Sequence, residues 1–131
     1  MPIRTAACSC GQLTARTAAD PLRVSVCHCL ACQRRTGSVF GAQARFAAAA
    51  VTRAGESRQY ERVGDAGTRA TFHFCPRCGA TVWYMLAGHD DALVIPVGAF
   101  ADPAFPAPTF SVYEERMHAW VRLQGDIEHI A

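Results

Sequence analysis

Short stretches of alternating apolar and polar residues, cut by glycine and proline, make up most of this chain, and no long 3.6-residue periodicity appears. Nine stretches read as strands: 12–17, 22–26, 39–46, 58–63, 69–74, 81–86, 93–97, 109–113 and 119–123. The alternation is plain in Val94-Ile95-Pro96-Val97 and in Trp120-Val121-Arg122-Leu123. Turn signals separate the strands at Gly55, Gly64-Asp65, Gly88-His89-Asp90-Asp91 and Asp102-Pro103. Two places resist the pattern. The alanine run from Ala47 to Ala50 favours helix by propensity, but Val51-Thr52 and Gly55 follow too soon for a stable one. The stretch from Leu30 to Gly37 has room for one or two helical turns carrying Cys32. The expectation is one all-β domain of short antiparallel strands over 1–131.

Composition narrows the class. A chain of 131 residues that is 50% hydrophobic and 18% charged excludes disorder, which needs low hydrophobicity and high net charge. No apolar run reaches the length of a membrane span, and the start at Met1 through Arg4 to Cys8 has no leader pattern. The expected compartment is therefore the cytoplasm. A net charge of +2 gives no argument for nucleic acid. All 13 fixed cations are arginine, a bias for which genome base composition is the plain cause.

Seven cysteines change the picture more than any other count. They fall in three clusters: Cys8-Ser9-Cys10-Gly11, Cys27-His28-Cys29-Leu30-Ala31-Cys32 and Cys75-Pro76-Arg77-Cys78-Gly79. An odd count without a leader argues against disulfides, and tight clustering argues against inert core thiols. Metal is the expectation. Zinc takes four thiolate or imidazole ligands in a closed structural site, and a short Cys-x-x-Cys loop with a trailing glycine is a typical half-site. Spacing allows two divisions. Cys29 and Cys32 with Cys75 and Cys78 would make a ribbon, leaving Cys8, Cys10 and Cys27 over. Alternatively, Cys8, Cys10, Cys75 and Cys78 close one site and leave Cys27, Cys29 and Cys32 as a three-sulfur set with an open position. The second division uses every cysteine and is preferred. A zinc so rich in thiolate is a poor Lewis acid and suits a soft fourth ligand, such as an incoming thiol, whose pKa it would lower.

At these clusters the sequence resembles the glutathione-dependent formaldehyde-activating family. The family's hallmarks are a Cys-x-Cys-Gly, a Cys-His-Cys-x-x-Cys and a Phe-Cys-x-x-Cys-Gly, here ending in Phe74 through Gly79, in that order. Secondary resemblances run from Arg34 to Ser38, from Val97 to Pro103 and from Tyr113 to Trp120, so the likeness covers nearly the whole chain. The resemblance implies an all-β, tent-like fold with two zinc ions. Cys8, Cys10, Cys75 and Cys78 would hold a structural zinc, and Cys27, Cys29 and Cys32 a labile catalytic one. It implies a carbon–sulfur lyase that joins glutathione and formaldehyde into S-(hydroxymethyl)glutathione. Better-characterised members are longer than this chain, and the domain also occurs in centromere protein V. A different class of reading therefore stands beside the enzyme: a non-catalytic zinc-stabilised module that binds a thiol, a protein or a nucleic acid.

Other residues are weighed against plainer roles. His28, between two proposed ligands, is expected to face away from the metal. His73, between Phe72 and Phe74, reads as a hydrogen-bonded structural histidine, and His89 as solvated. Arg34 and Arg35 follow the second cluster; either is expected to hold the anionic thiol substrate, or to damp the negative charge of the three sulfurs. Phe72, Phe74, Trp83, Tyr84 and Trp120 read as core.

Overall fold

The computed structural model describes residues 2–64 and 66–131. The turn expected at Gly64-Asp65 thus falls partly outside the described residues. Two sheets form the molecule. The smaller is antiparallel, in the order β1-β2-β5, from β1 (Arg4–Ala7), β2 (Thr14–Thr17) and β5 (Val51–Ala54). The larger contains β3 (Arg23–Cys27), β4 (Gly41–Ala47), β6 (Arg58–Val63), β7 (Arg69–Phe74), β8 (Thr81–Leu86), β9 (Ala92–Pro96), β10 (Phe110–Val112) and β11 (Glu128–His129). Its order is β11-β10-β3-β4-β9-β8-β7-β6, an open sheet and not a closed barrel.

One face of the large sheet packs on the small sheet. Ala6, Leu13 and Ala15 meet Val24, Ala44, Phe46, Val82, Trp83, Leu93 and Ile95 in the main core. Fully burying a side chain such as Phe46, Leu93 or Ile95 contributes roughly 1.5–3 kcal/mol each. Strand alternation sends the intervening residues to the opposite face. Val94, between Leu93 and Ile95, joins Ala70, Phe72 and Tyr84 in a second cluster there. The two faces thus carry separate apolar clusters.

Strands 58–63, 69–74 and 81–86 form with the expected bounds. The helical turns expected over Leu30 to Gly37 are α1 (Leu30–Thr36), closed by Gly37 at φ 70° with its N–H on the Gln33 carbonyl. The alanine run makes one 3-10 turn (Ala48–Ala50) before β5. The strand expected over 119–123 does not form. Val121 N–H turns back to the His118 carbonyl, and Arg122 Nη1 caps the Ala119 and Val121 carbonyls, so only Val121 of its apolar residues is buried. Nor is the pairing wholly antiparallel: β10 runs parallel to both β3 and β11.

Candidate metal centres and an arginine-lined cavity

Cys8, Cys10, Cys75 and Cys78 come together with their sulfurs within 4.8 Å of one another. Cys8 and Cys10 leave the end of β1, while Cys75 and Cys78 sit in the β7–β8 connection, so the set joins the two sheets. The Sγ–Sγ distances of 3.6 Å from Cys10 to Cys8 and to Cys75 match a tetrahedral edge. Four sulfurs at about 2.3 Å from one ion lie about 3.8 Å apart. Backbone amides of Leu13 and Arg77 donate to Cys8 and Cys75 sulfur, each at 3.3 Å, and Gln12 Nε2 donates to Cys75 Sγ at 3.0 Å. These donors favour thiolate: against burial, the Gln12 bond and the backbone amides bring Cys75 down to about 6. A closed soft-metal site fits this donor set.

Cys27, Cys29 and Cys32 form a separate set, all three buried and within the same 4.8 Å limit. The ribbon pairing of Cys29 and Cys32 with Cys75 and Cys78 does not occur. Cys27 ends β3, and Cys29 caps α1 by accepting the Cys32 N–H at 3.3 Å, so one tight loop carries all three sulfurs. Hydrogen bonding from the Cys27 thiol brings Cys32 down to about 5 against burial; Cys29 and the guanidiniums of Arg35 and Arg62 add to the effect. Cys27 is pushed up by the same bond and by burial. Three thiolates and no fourth protein ligand among the described residues fit an ion with one open position.

These three cysteines wall a cavity of about 250 Å³ on the Val94 face of the large sheet. Successive same-face residues of β3 (Cys27, Ser25, Arg23) and of β4 (Gln43, Arg45) line it, with Val94 beside Arg45 on β9, Tyr84 on β8 and Arg62 on β6. Among the described residues no carboxylate lines it. Burial pushes the Tyr84 phenol up, keeping it protonated. Tyr113, with its backbone at φ 56°, packs on the cysteine set.

His28 faces away from the sulfurs, as expected: it is fully buried, with Nε2 2.9 Å from Ser111 Oγ. His73 stacks on Trp83 with Nδ1 3.1 Å from Ser57 Oγ, and His89 is exposed. Arg35 is half-buried over the rings of Phe72 and Tyr84, while Arg34 is exposed. Both line a neighbouring groove of about 490 Å³ with Tyr60, Phe72 and Arg62, and Arg62 also lines the cysteine cavity. Trp120 is 70% exposed and is not core, whereas Trp83 and Tyr84 are buried. Arg23, Arg45, Arg62, Gln43 and Tyr84 were not singled out as site residues from sequence. Stepping back by two from Cys27 along its strand reaches Ser25 and Arg23; the partners on β4 need the register.

Two sheets meet at a four-cysteine set, and a second, three-cysteine set opens to a cavity; each set could hold a metal ion. The chain belongs to the glutathione-dependent formaldehyde-activating enzyme family, whose model matches residues 3–116. Among solved structures it is similar to a structural-genomics crystal structure of a Rhodobacter sphaeroides protein. The TM-score is 0.56 at 18% identity, covering 72% of this chain and 85% of that one, a likeness of fold. A search of the curated proteins gives no match. Among the described residues no helix is long and apolar enough to cross a membrane.

Proposed function

We propose that this protein adds the thiol of glutathione to formaldehyde, giving S-(hydroxymethyl)glutathione, and catalyses the reverse cleavage as a carbon–sulfur lyase. The observation that carries the reading is a three-sulfur set, separate from the four-sulfur one, on the wall of a cationic cavity. Two zinc ions per chain suit the two donor sets, a structural one on Cys8, Cys10, Cys75 and Cys78 and a catalytic one on Cys27, Cys29 and Cys32. Zinc on the second set supplies a lowered pKa for an incoming thiol, and with it a nucleophile at neutral pH.

The chain's own residues account for the rest. Arg35 and Arg62 offset the negative charge that gathers around Cys32. Arg34, on the adjoining groove, offers a further contact for the part of the tripeptide outside the cavity. The cavity walls hold sulfur and aldehyde together and shed water. The thiol proton leaves to solvent, the sulfur lone pair forms the C–S bond, the carbonyl pair moves to oxygen, and that oxygen takes one proton back from solvent at the cavity mouth. Tyr84, kept protonated by its burial, is a hydrogen-bond donor for the oxygen as charge develops. Free thiols need a reducing compartment, so the reading places the protein in the cytoplasm.

The test is the rate of S-(hydroxymethyl)glutathione formation followed by exchange NMR, with zinc-loaded protein against a protein-free control, because thiols add to formaldehyde unassisted. Acceleration in the wild type and its loss in Cys32→Ser are expected. No acceleration would leave the non-catalytic module as the better reading.

A further inference from the structure

Arg23 and Arg45 face each other directly across β3 and β4. Like charges at opposed positions destabilise a strand pair unless something neutralises them. Neither makes an ion pair among the described residues, and Arg23 Nε is buried without a hydrogen-bond partner. Arg23 is held over the Phe110 ring at 4.0 Å, which fixes its guanidinium plane. Arg62, on the same cavity, also has its Nε and Nη1 buried and unpartnered. Ser25 and Gln43 lie between this cluster and the cysteines; Gln43 Nε2 donates to Ser25 Oγ at 2.9 Å, leaving Gln43 Oε1 without a partner. Two guanidiniums with buried, unsatisfied nitrogens and a third opposed to one of them, on a cavity that no carboxylate lines among the described residues, describe an anion site.

We infer that Arg23 and Arg45 form a carboxylate-binding subsite at the far end of the cavity from Cys27, which selects a peptide thiol over a small neutral one. The inference rests on the thiol-addition reading and adds how the thiol is chosen. Cys27 is four residue steps along β3 from Arg23, about 13 Å. An extended tripeptide spans about 10 Å. With the sulfur of its central residue at the cysteine set, a terminal carboxylate lies within reach of side chains leaning back along the strands. Mercaptoethanol has the thiol but no group for the arginines.

S-methylglutathione has both carboxylates and no free thiol, so its binding reads the arginines apart from any thiol chemistry. Calorimetric titration into zinc-loaded protein is expected to show it binding at least about tenfold more tightly than its diethyl ester, the scale of a charge-assisted hydrogen bond. Arg23→Met/Arg45→Met should lose that preference, while Arg16→Met on the other sheet should keep it. The ester comparison stands even if the double variant fails to fold. Equal affinity for acid and ester, no binding of either, or wild-type affinity in a folded double variant would overturn the subsite. The glutathione rate measured beside it separates the two claims. Discrimination without acceleration removes the thiol-addition reading and leaves the subsite; acceleration without discrimination does the reverse.

Discussion

Gln12 satisfies three partners at once. Its Nε2 donates to Cys75 Sγ at 3.0 Å and to the Glu56 carbonyl at 2.7 Å, while its Oε1 accepts the Glu56 N–H at 2.9 Å. Donors around a ligand's sulfur orient it and tune its charge, and losing one typically weakens metal binding 10–100-fold. Gln12→Leu should therefore lose zinc from the four-cysteine set at a correspondingly lower chelator concentration, read as cysteine-bound metal released to a colorimetric dye. Unchanged release would remove Gln12 from the site's support. The contact depends on Gly55, at φ 99°, where a Cβ would stand 2.1 Å from the Gln12 carbonyl oxygen. Gly55→Ala should cost about 2 kcal/mol or more in urea unfolding, from strain and from backbone displacement. The three cysteine clusters were legible because spacing within a short loop is local information. Gln12 was not, since nothing near it in sequence shows that Glu56 and Cys75 close on it.

Between elements, the loop carrying Cys27, His28 and Cys29 is held by β10. The His28 N–H reaches the Val112 carbonyl at 3.0 Å, and its ring nitrogen pairs with fully buried Ser111. Ser111→Ala leaves a buried imidazole nitrogen unpaired, a cost of about 1–3 kcal/mol. Denaturant unfolding should show that loss, while Ser38→Ala on the exposed turn after α1 should show almost none. The strands β6, β7 and β8 were legible to the residue because clean alternation sits between turn signals. Short β1 and β11, and β5 directly after the alanine run, have too little pattern of their own and exist through their partners. The segment 119–123 shows the converse: its alternation had no neighbouring strand to pair with, and local turns claimed it. Register is likewise invisible before folding, which hid the opposition of Arg23 and Arg45.

Across the whole molecule the two cysteine sets sit differently in the fold. Cys8 and Cys10 are far in sequence from Cys75 and Cys78, and their common ion would tie the small sheet to the large one, making metal binding part of folding. Cys27, Cys29 and Cys32 lie within one loop and cross-link little. Cys75→Ser should therefore abolish cooperative unfolding or deplete folded protein, whereas Cys32→Ser should stay folded with one zinc fewer, by circular dichroism and native mass spectrometry. Equal damage from both would contradict this division of labour. The most direct test is whether the three-sulfur set accepts a substrate thiol. Cobalt-substituted protein titrated with glutathione without oxygen should gain sulfur-to-cobalt charge-transfer intensity, saturating at one equivalent. S-methylglutathione and Cys32→Ser should leave the spectrum unchanged. An unchanged wild-type spectrum on adding glutathione would contradict the account and make the second set structural.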